Sequence, residues 1–190
     1  TWSEVHAEHH DFFRRMTQLF SYEDVLLIDT AGNVVYTAFK GVDLGTNLDS
    51  GPLQRTNLAD AYAEVMTGNV ADTVVLTDFE PYPPSLGTPA AWAVTPVAID
   101  GTIVGAMAVE MPIDRIDYVM SGGGSWEASG LGDTGETYIV GADDNLMRSI
   151  SRDLVEDPER YEAQAIAAGT PPNVARQAVD LRSLGSVKLR

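Results

Sequence analysis

The chain has 190 residues, with 28 Asp and Glu against 12 Lys and Arg and a formal net charge of -16. Hydrophobic residues at 44% and charged residues at 21% are enough for a packed core and exclude global disorder. The acid excess repels phosphate backbones and anionic lipid, which argues against nucleic acid as a partner, and the absence of Cys removes disulfides, thiol catalysis and Cys-ligated metal centres.

Residues 2–20 carry Trp2, Val5, Phe12, Phe13, Met16, Leu19 and Phe20 at spacings of three and four, with His9 on the same side, and so predict an amphipathic helix. No clear cap precedes it. For want of a cap the helix is expected to continue upstream, in the longer parent that a first residue of Thr rather than Met leads one to expect. The apolar run Val25-Leu26-Leu27-Ile28, the turn Thr30-Ala31-Gly32-Asn33 and the run Val34-Val35-Tyr36 predict a hairpin. Residues 41–57 are rich in Gly, Asp and Asn and read as loop. Leu58, Ala59, Tyr62, Val65 and Met66 mark a second helix ended by Gly68.

Residues 73–79 alternate enough for a strand. The segment from Glu80 to Pro89 contains four Pro, which remove donors and fix φ, so no regular structure is expected there. Two long strands follow, 91–99 and 103–111, joined by Asp100-Gly101, the strongest short hairpin signal. Pro112 opens a short helix over 113–120. Ser121-Gly122-Gly123-Gly124 and the residues to Gly132 read as a joint. Residues 136–141 and 145–149, separated by Ala142-Asp143-Asp144, predict a further hairpin, and residues 157–180 are helical in composition, broken at Gly169-Thr170-Pro171-Pro172. The order gives an α+β fold, a long N-terminal helix plus one five-stranded antiparallel sheet with helices on one side. Only two strands follow residue 132, so a second module would be incomplete. No run of 18 apolar residues or signal peptide occurs.

Four motifs in register resemble a known family. These are Leu27-Ile28-Asp29-Thr30-Ala31-Gly32-Asn33-Val34-Val35-Tyr36; Asp78-Phe79-Glu80-Pro81-Tyr82 with Pro84-Ser85 and Pro89-Ala90-Ala91-Trp92; Pro112-Ile113-Asp114-Arg115-Ile116; and Gly135-Glu136-Thr137-Tyr138-Ile139-Val140-Gly141 with Leu146-Met147-Arg148-Ser149 and Ser151-Arg152. Together they resemble the double Cache sensor domains of bacterial chemoreceptors, histidine kinases and receptor-type adenylate/guanylate cyclases, built from two PAS-like modules. The resemblance implies a signalling and dimerisation helix at 1–22, a membrane-distal, ligand-binding Cache module at 23–120, and a linker with a partial membrane-proximal Cache module at 121–190. It also implies an extracytoplasmic small-molecule sensor rather than an enzyme, with a cytoplasmic cyclase or chemotaxis output, working as a homodimer through the N-terminal helix. The membrane would be met only through flanking segments absent here. The Arg-x-Trp-Tyr element of amino-acid-binding subgroups is missing, so a free amino acid is not the favoured ligand.

A ligand pocket over a sheet needs a few polar groups among aromatic ones. Asp78, Tyr82, Ser85, Trp92 and Thr95 supply that mix, Asp78 suiting a cationic or hydroxylated ligand; Tyr36 and Lys40 lie on or just after the facing strand, where Lys40 would meet an anion. Their plainer roles are core, loop capping and a solvated lysine. His6 and His10, four apart on a helix, could hold a metal with Glu4 or Asp11, but a solvated helix face is the commoner reason for such a pair; no metal and no cofactor is expected. No Gly-x-Ser-x-Gly elbow or phosphate loop occurs. Gly135-Glu136 with Arg148 and Arg152 are expected to fix the start of the second sheet. The rival readings are a cytoplasmic PAS-like regulatory domain, a small carboxylate-dependent hydrolase or isomerase, and an adhesion domain without a pocket.

Overall fold

The computed structural model describes residues 1–68, 70–85, 89–141 and 149–183. It divides into two compact units, Thr1–Pro112 and Ile113 onward. The first opens with α1 (Trp2–Phe20), followed by β1 (Asp24–Asp29), β2 (Val34–Thr37), α2 (Asn57–Gly68), β3 (Val75–Leu76), β4 (Glu80–Pro81), β5 (Pro89–Ile99) and β6 (Thr102–Met111). The strands form one antiparallel sheet in the order β2-β1-β6-β5-β3, and β4 pairs with β5.

Six strands therefore replace the expected five. The addition is Glu80–Pro81 within the Pro-rich segment, which pairs with Ala90 and Pro89 at the end of β5. Two residues at a sheet edge tolerate Pro because its missing N–H faces away from the ladder. The strand expected over 73–79 shrinks to Val75–Leu76. Thr1 caps α1 with a capping box shared with Glu4, against the expectation of an uncapped start, and its Thr-x-x-Glu spacing is the sequence signature of that box. The Asp100-Gly101 hairpin has both central residues left-handed, at φ 49 and φ 76, as a two-residue turn between twisted strands requires.

Strand alternation divides the sheet into two faces. Leu26, Ile28, Val34, Trp92, Val94, Ala106 and Ala108 point to one face and pack with Leu58, Ala61, Tyr62 and Val65 of α2 and with Leu48 and Leu53 of the 41–56 loop. Val25, Leu27, Tyr36, Ala93, Met107 and Val109 point to the other and meet Phe13 and Met16 of α1. The sheet is thus sandwiched between α2 and α1 rather than covered by helices on one side as expected, because the odd and even positions of its strands are both apolar and each face keeps its own core.

The second unit contains α3 (Ile113–Met120), one π-helical turn over Glu127–Leu131, α4 (Arg152–Glu156), α5 (Pro158–Ala167) and α6 (Pro172–Ser183). In the first arm of the hairpin expected over 136–141, residues 136–139 are irregular and Val140 forms a single β-bridge, and most of the second arm, with Arg148, lies outside the described residues. Glu136 and Arg152 organise the start of α4. The Glu136 carboxylate accepts from Arg152 N at 2.6 Å, while the Arg152 guanidinium donates to Gly132 O at 2.7 Å, Gly135 O at 3.0 Å and Glu156 Oε2 at 2.8 Å. A carboxylate at a helix N-terminus and an internally bonded guanidinium both compensate for burial. Among the described residues no helix is long and apolar enough to cross a membrane.

Candidate functional site

The α2 face carries polar groups at one end of an otherwise apolar core. Asp24 opens β1 and Glu110 lies near the end of β6; the two are register partners, and Glu110 also pairs with Trp92 of β5. Asp43 reaches the same place from the 41–56 loop. That loop is tied to the β1–β2 turn by main-chain bonds Val34 N to Thr46 O, Gly45 N to Val34 O and Leu48 N to Gly32 O. Asn47 locks it further, donating to Ala31 O at 2.7 Å and Asn33 Oδ1 at 3.0 Å. Asp43 is thereby carried into the interior, where the buried Tyr82 phenol donates to its Oδ2 at 3.1 Å. The Tyr82 ring stands edge-on to Trp92 at 5.0 Å between centroids.

Three carboxylates are buried in this region, Asp24 at 6%, Asp43 at 3% and Glu110 at 8% exposure. Asp24 Oδ1 accepts from Val25 N, Ala38 N and Phe39 N at 2.7, 2.8 and 3.1 Å, so it joins the start of β1 to the end of β2. Burial, opposed by those bonds and assisted by Asp43, pushes Asp24 up to about 6. Burial first, and then the charge of Asp43, hold the Tyr82 phenol far above its ordinary range and hence neutral. Two buried polar atoms here have no hydrogen-bond partner in the protein, Asp43 Oδ1 and Trp92 Nε1.

Of the seven residues expected to line the site, Tyr82 and Trp92 come together at this corner. Asp78 is exposed and its Oδ1 accepts from Phe79 N at 2.7 Å; Ser85 is half-buried in a single 3-10 turn. Thr95 points to the α1 face and donates to Thr73 O at 2.8 Å. Tyr36 and Lys40 are also on the α1 side, where the Lys40 ammonium lies 3.8 Å from the Tyr36 ring centroid and donates to Thr37 O. Thr95 lies three positions, an odd number, beyond Trp92 in a continuous strand, so their opposite facing was readable from parity. Asp24, Asp43 and Glu110 escaped sequence reasoning. Glu110 had one signal, a lone acid in an apolar strand; Asp43 had none.

The α1 face holds a cavity of about 460 Å³, lined among others by Trp2, His6, Phe13, Leu27 and Tyr36. Trp2, His6 and His10 stack at 4.8 and 4.4 Å, and His10 Nδ1 bonds the Tyr36 hydroxyl at 2.8 Å. The His pair is thus engaged with aromatic rings, and no group of three His, Asp or Glu among the described residues is arranged for a metal.

No protein-family model matches the chain, and no curated protein does. Among solved structures it is similar to the sensor domain of the Vibrio cholerae histidine kinase DctB, at 17% identity and TM-score 0.44, covering 60% of this chain and 42% of that one. It is also similar to the sensory domain of the Campylobacter jejuni chemoreceptor Tlp3, at 16% identity and TM-score 0.47, covering 64% and 47%. A third is the ligand-binding domain of the Pseudomonas aeruginosa amino acid chemoreceptor PctC, in complex with GABA, at 16% identity and TM-score 0.39, covering 54% and 43%. The chain spans less than half the length of each of these domains.

Proposed function

We propose that the unit Thr1–Pro112 is the extracytoplasmic small-molecule sensing module of a bacterial membrane receptor, binding its ligand at the Asp43–Tyr82–Trp92 corner. The observation that carries this reading is the pair of buried, unpartnered polar atoms, Asp43 Oδ1 and Trp92 Nε1. Each such atom costs about 1–3 kcal/mol, and a fold retains that cost where a bound group makes up the missing bond. The four motifs in register support the same reading. The N-terminal helix carries the signal to a cytoplasmic nucleotide cyclase or chemotaxis output, as a pair of helices in a homodimer. Ligand control then requires unequal affinity for two helix arrangements.

Thermal denaturation across a library of small carboxylates, polyols, amines and amino acids tests the site. A ligand at 100 times its Kd stabilises by about 2.7 kcal/mol, and Asp43→Ala and Trp92→Phe abolish that gain. A library without a hit, or hits indifferent to both substitutions, defeats the proposal.

One observation favours a carboxylate-dependent hydrolase instead, namely Asp24 near 6 beside other buried acids. Its Oδ1, however, is committed to three main-chain N–H groups, which is the work of a clamp. Retention of ligand binding in Asp24→Asn supports the clamp.

A further inference from the structure

We infer that the Asp43–Tyr82–Trp92 corner takes a protonated amine that also carries an uncharged oxygen acceptor, such as an amino alcohol. The inference rests on the proposed sensing role and specifies its ligand.

The chemistry follows from what each unpartnered atom lacks. Asp43 Oδ1 is an acceptor without a donor, and Trp92 Nε1–H is a donor without an acceptor. A ligand that completes both presents one N–H and one lone pair. The charge of the donor is set by the surroundings. Asp43 is buried on the same side of the sheet as Asp24 and Glu110. Residues 1–112 contain only four Lys and Arg, Arg14, Arg15, Lys40 and Arg55. Arg14 and Arg15 are exposed on α1, beyond the opposite face, and Arg55 is exposed on the loop before α2. The Lys40 ammonium is held by the Tyr36 ring and Thr37 O. None of the four is in place to bond Asp43 Oδ1, so a ligand cation meets a carboxylate with an open acceptor, where the hydrogen bond is charge-assisted.

The same charges decide the second group. Glu110 is the register partner of Trp92 and is buried on the same face of the sheet. A ligand carboxylate there is repelled, whereas a hydroxyl or carbonyl oxygen is not. The edge-to-face Tyr82–Trp92 pair adds an aromatic wall that attracts a cation. The raised proton affinity of Asp24 agrees with a region short of positive charge.

The full chain is titrated by calorimetry with four matched series of two to five carbons: amino alcohols, amino acids, hydroxy acids and diols. The expected result is binding of at least one amino alcohol with a Kd at least 10-fold below that of its matched amino acid. Asp43→Asn, which keeps an acceptor for Tyr82 but replaces the open acceptor, weakens it at least 10-fold. Tighter binding of an amino acid that is still lost in Asp43→Asn overturns the uncharged second group, and tighter binding of a hydroxy acid or diol that is still lost overturns the cationic ligand; either leaves the sensing site standing while overturning the inference. Amino-alcohol binding untouched by Asp43→Asn, or no binding in any series, also overturns it. If the variant fails to fold, judged by circular dichroism, the amino alcohol to amino acid ratio of the parent decides.

Discussion

Asp24 holds the first and second strands together with a buried carboxylate that takes three main-chain N–H groups on one oxygen. Its proton affinity is raised to about 6 by burial, so the folded state binds more protons than the unfolded state between about pH 4 and pH 6. That contribution to stability is present at low pH and is lost as pH rises through about 6. In Asp24→Asn the amide oxygen still accepts the same bonds but no charge forms. The melting temperature of the parent, relative to this variant, is therefore expected to fall between pH 5 and pH 7.5, by the equivalent of about 1 kcal/mol. Melting curves of both proteins across that range check it, and a constant difference contradicts the assignment. Asp29 behaves oppositely: the Asn33 side-chain amide foremost, with the Asn33 and Ala31 N–H groups, holds it below its ordinary range, which is why the comparison needs the single-site variant.

Two elements depend on close approach or on what covers them. A Cβ on Gly105 of β6 would lie 2.3 Å from Ile28 O, so β1 and β6 pair only with no side chain at that point. Gly105→Ala is expected to destabilise by roughly 1–3 kcal/mol, measured by urea denaturation; an unchanged midpoint refutes it. Along α1, His6, His10, Phe13 and Thr17 turn toward the sheet, whereas Phe12 and Leu19 remain 65% and 78% exposed. Trp2, Val5, His9, Phe12, Met16 and Leu19 follow a strict three-four spacing, the pattern of a helix-pairing seam. Phe12→Glu with Leu19→Glu is expected to shift the chain from dimer to monomer in light scattering at matched concentration. A parent already monomeric at high concentration removes the helix-pair mechanism.

At the scale of the molecule, both core clusters and all six strands found among the described residues lie within the unit Thr1–Pro112. A piece comprising residues 1–112 is expected to fold alone, with the strand signal retained in circular dichroism and one cooperative melting transition. A disordered fragment would mean that the first unit depends on residues beyond 112.

Element types were legible in the sequence because period and turn chemistry are local. The three-four spacing of α1, the Asp100-Gly101 turn and the two long strands around it needed no distant partner to be read. The sandwich of α2 and α1 about the sheet did not follow from them, because the same patterns read as helices on one side and only packing assigns each helix to a face. The corner around Asp43 was not legible. It joins residues 24, 43, 82, 92 and 110, and their meeting depends on strand register and on a loop pinned to a turn by Asn47. A shift of one residue in any strand would send its side chains to the other face. Tertiary pairing therefore decided that Tyr82 and Trp92 share a face with three acids and that Tyr36 and Lys40 stand across the sheet, whereas the facing of Thr95 away from Trp92 followed from strand parity alone.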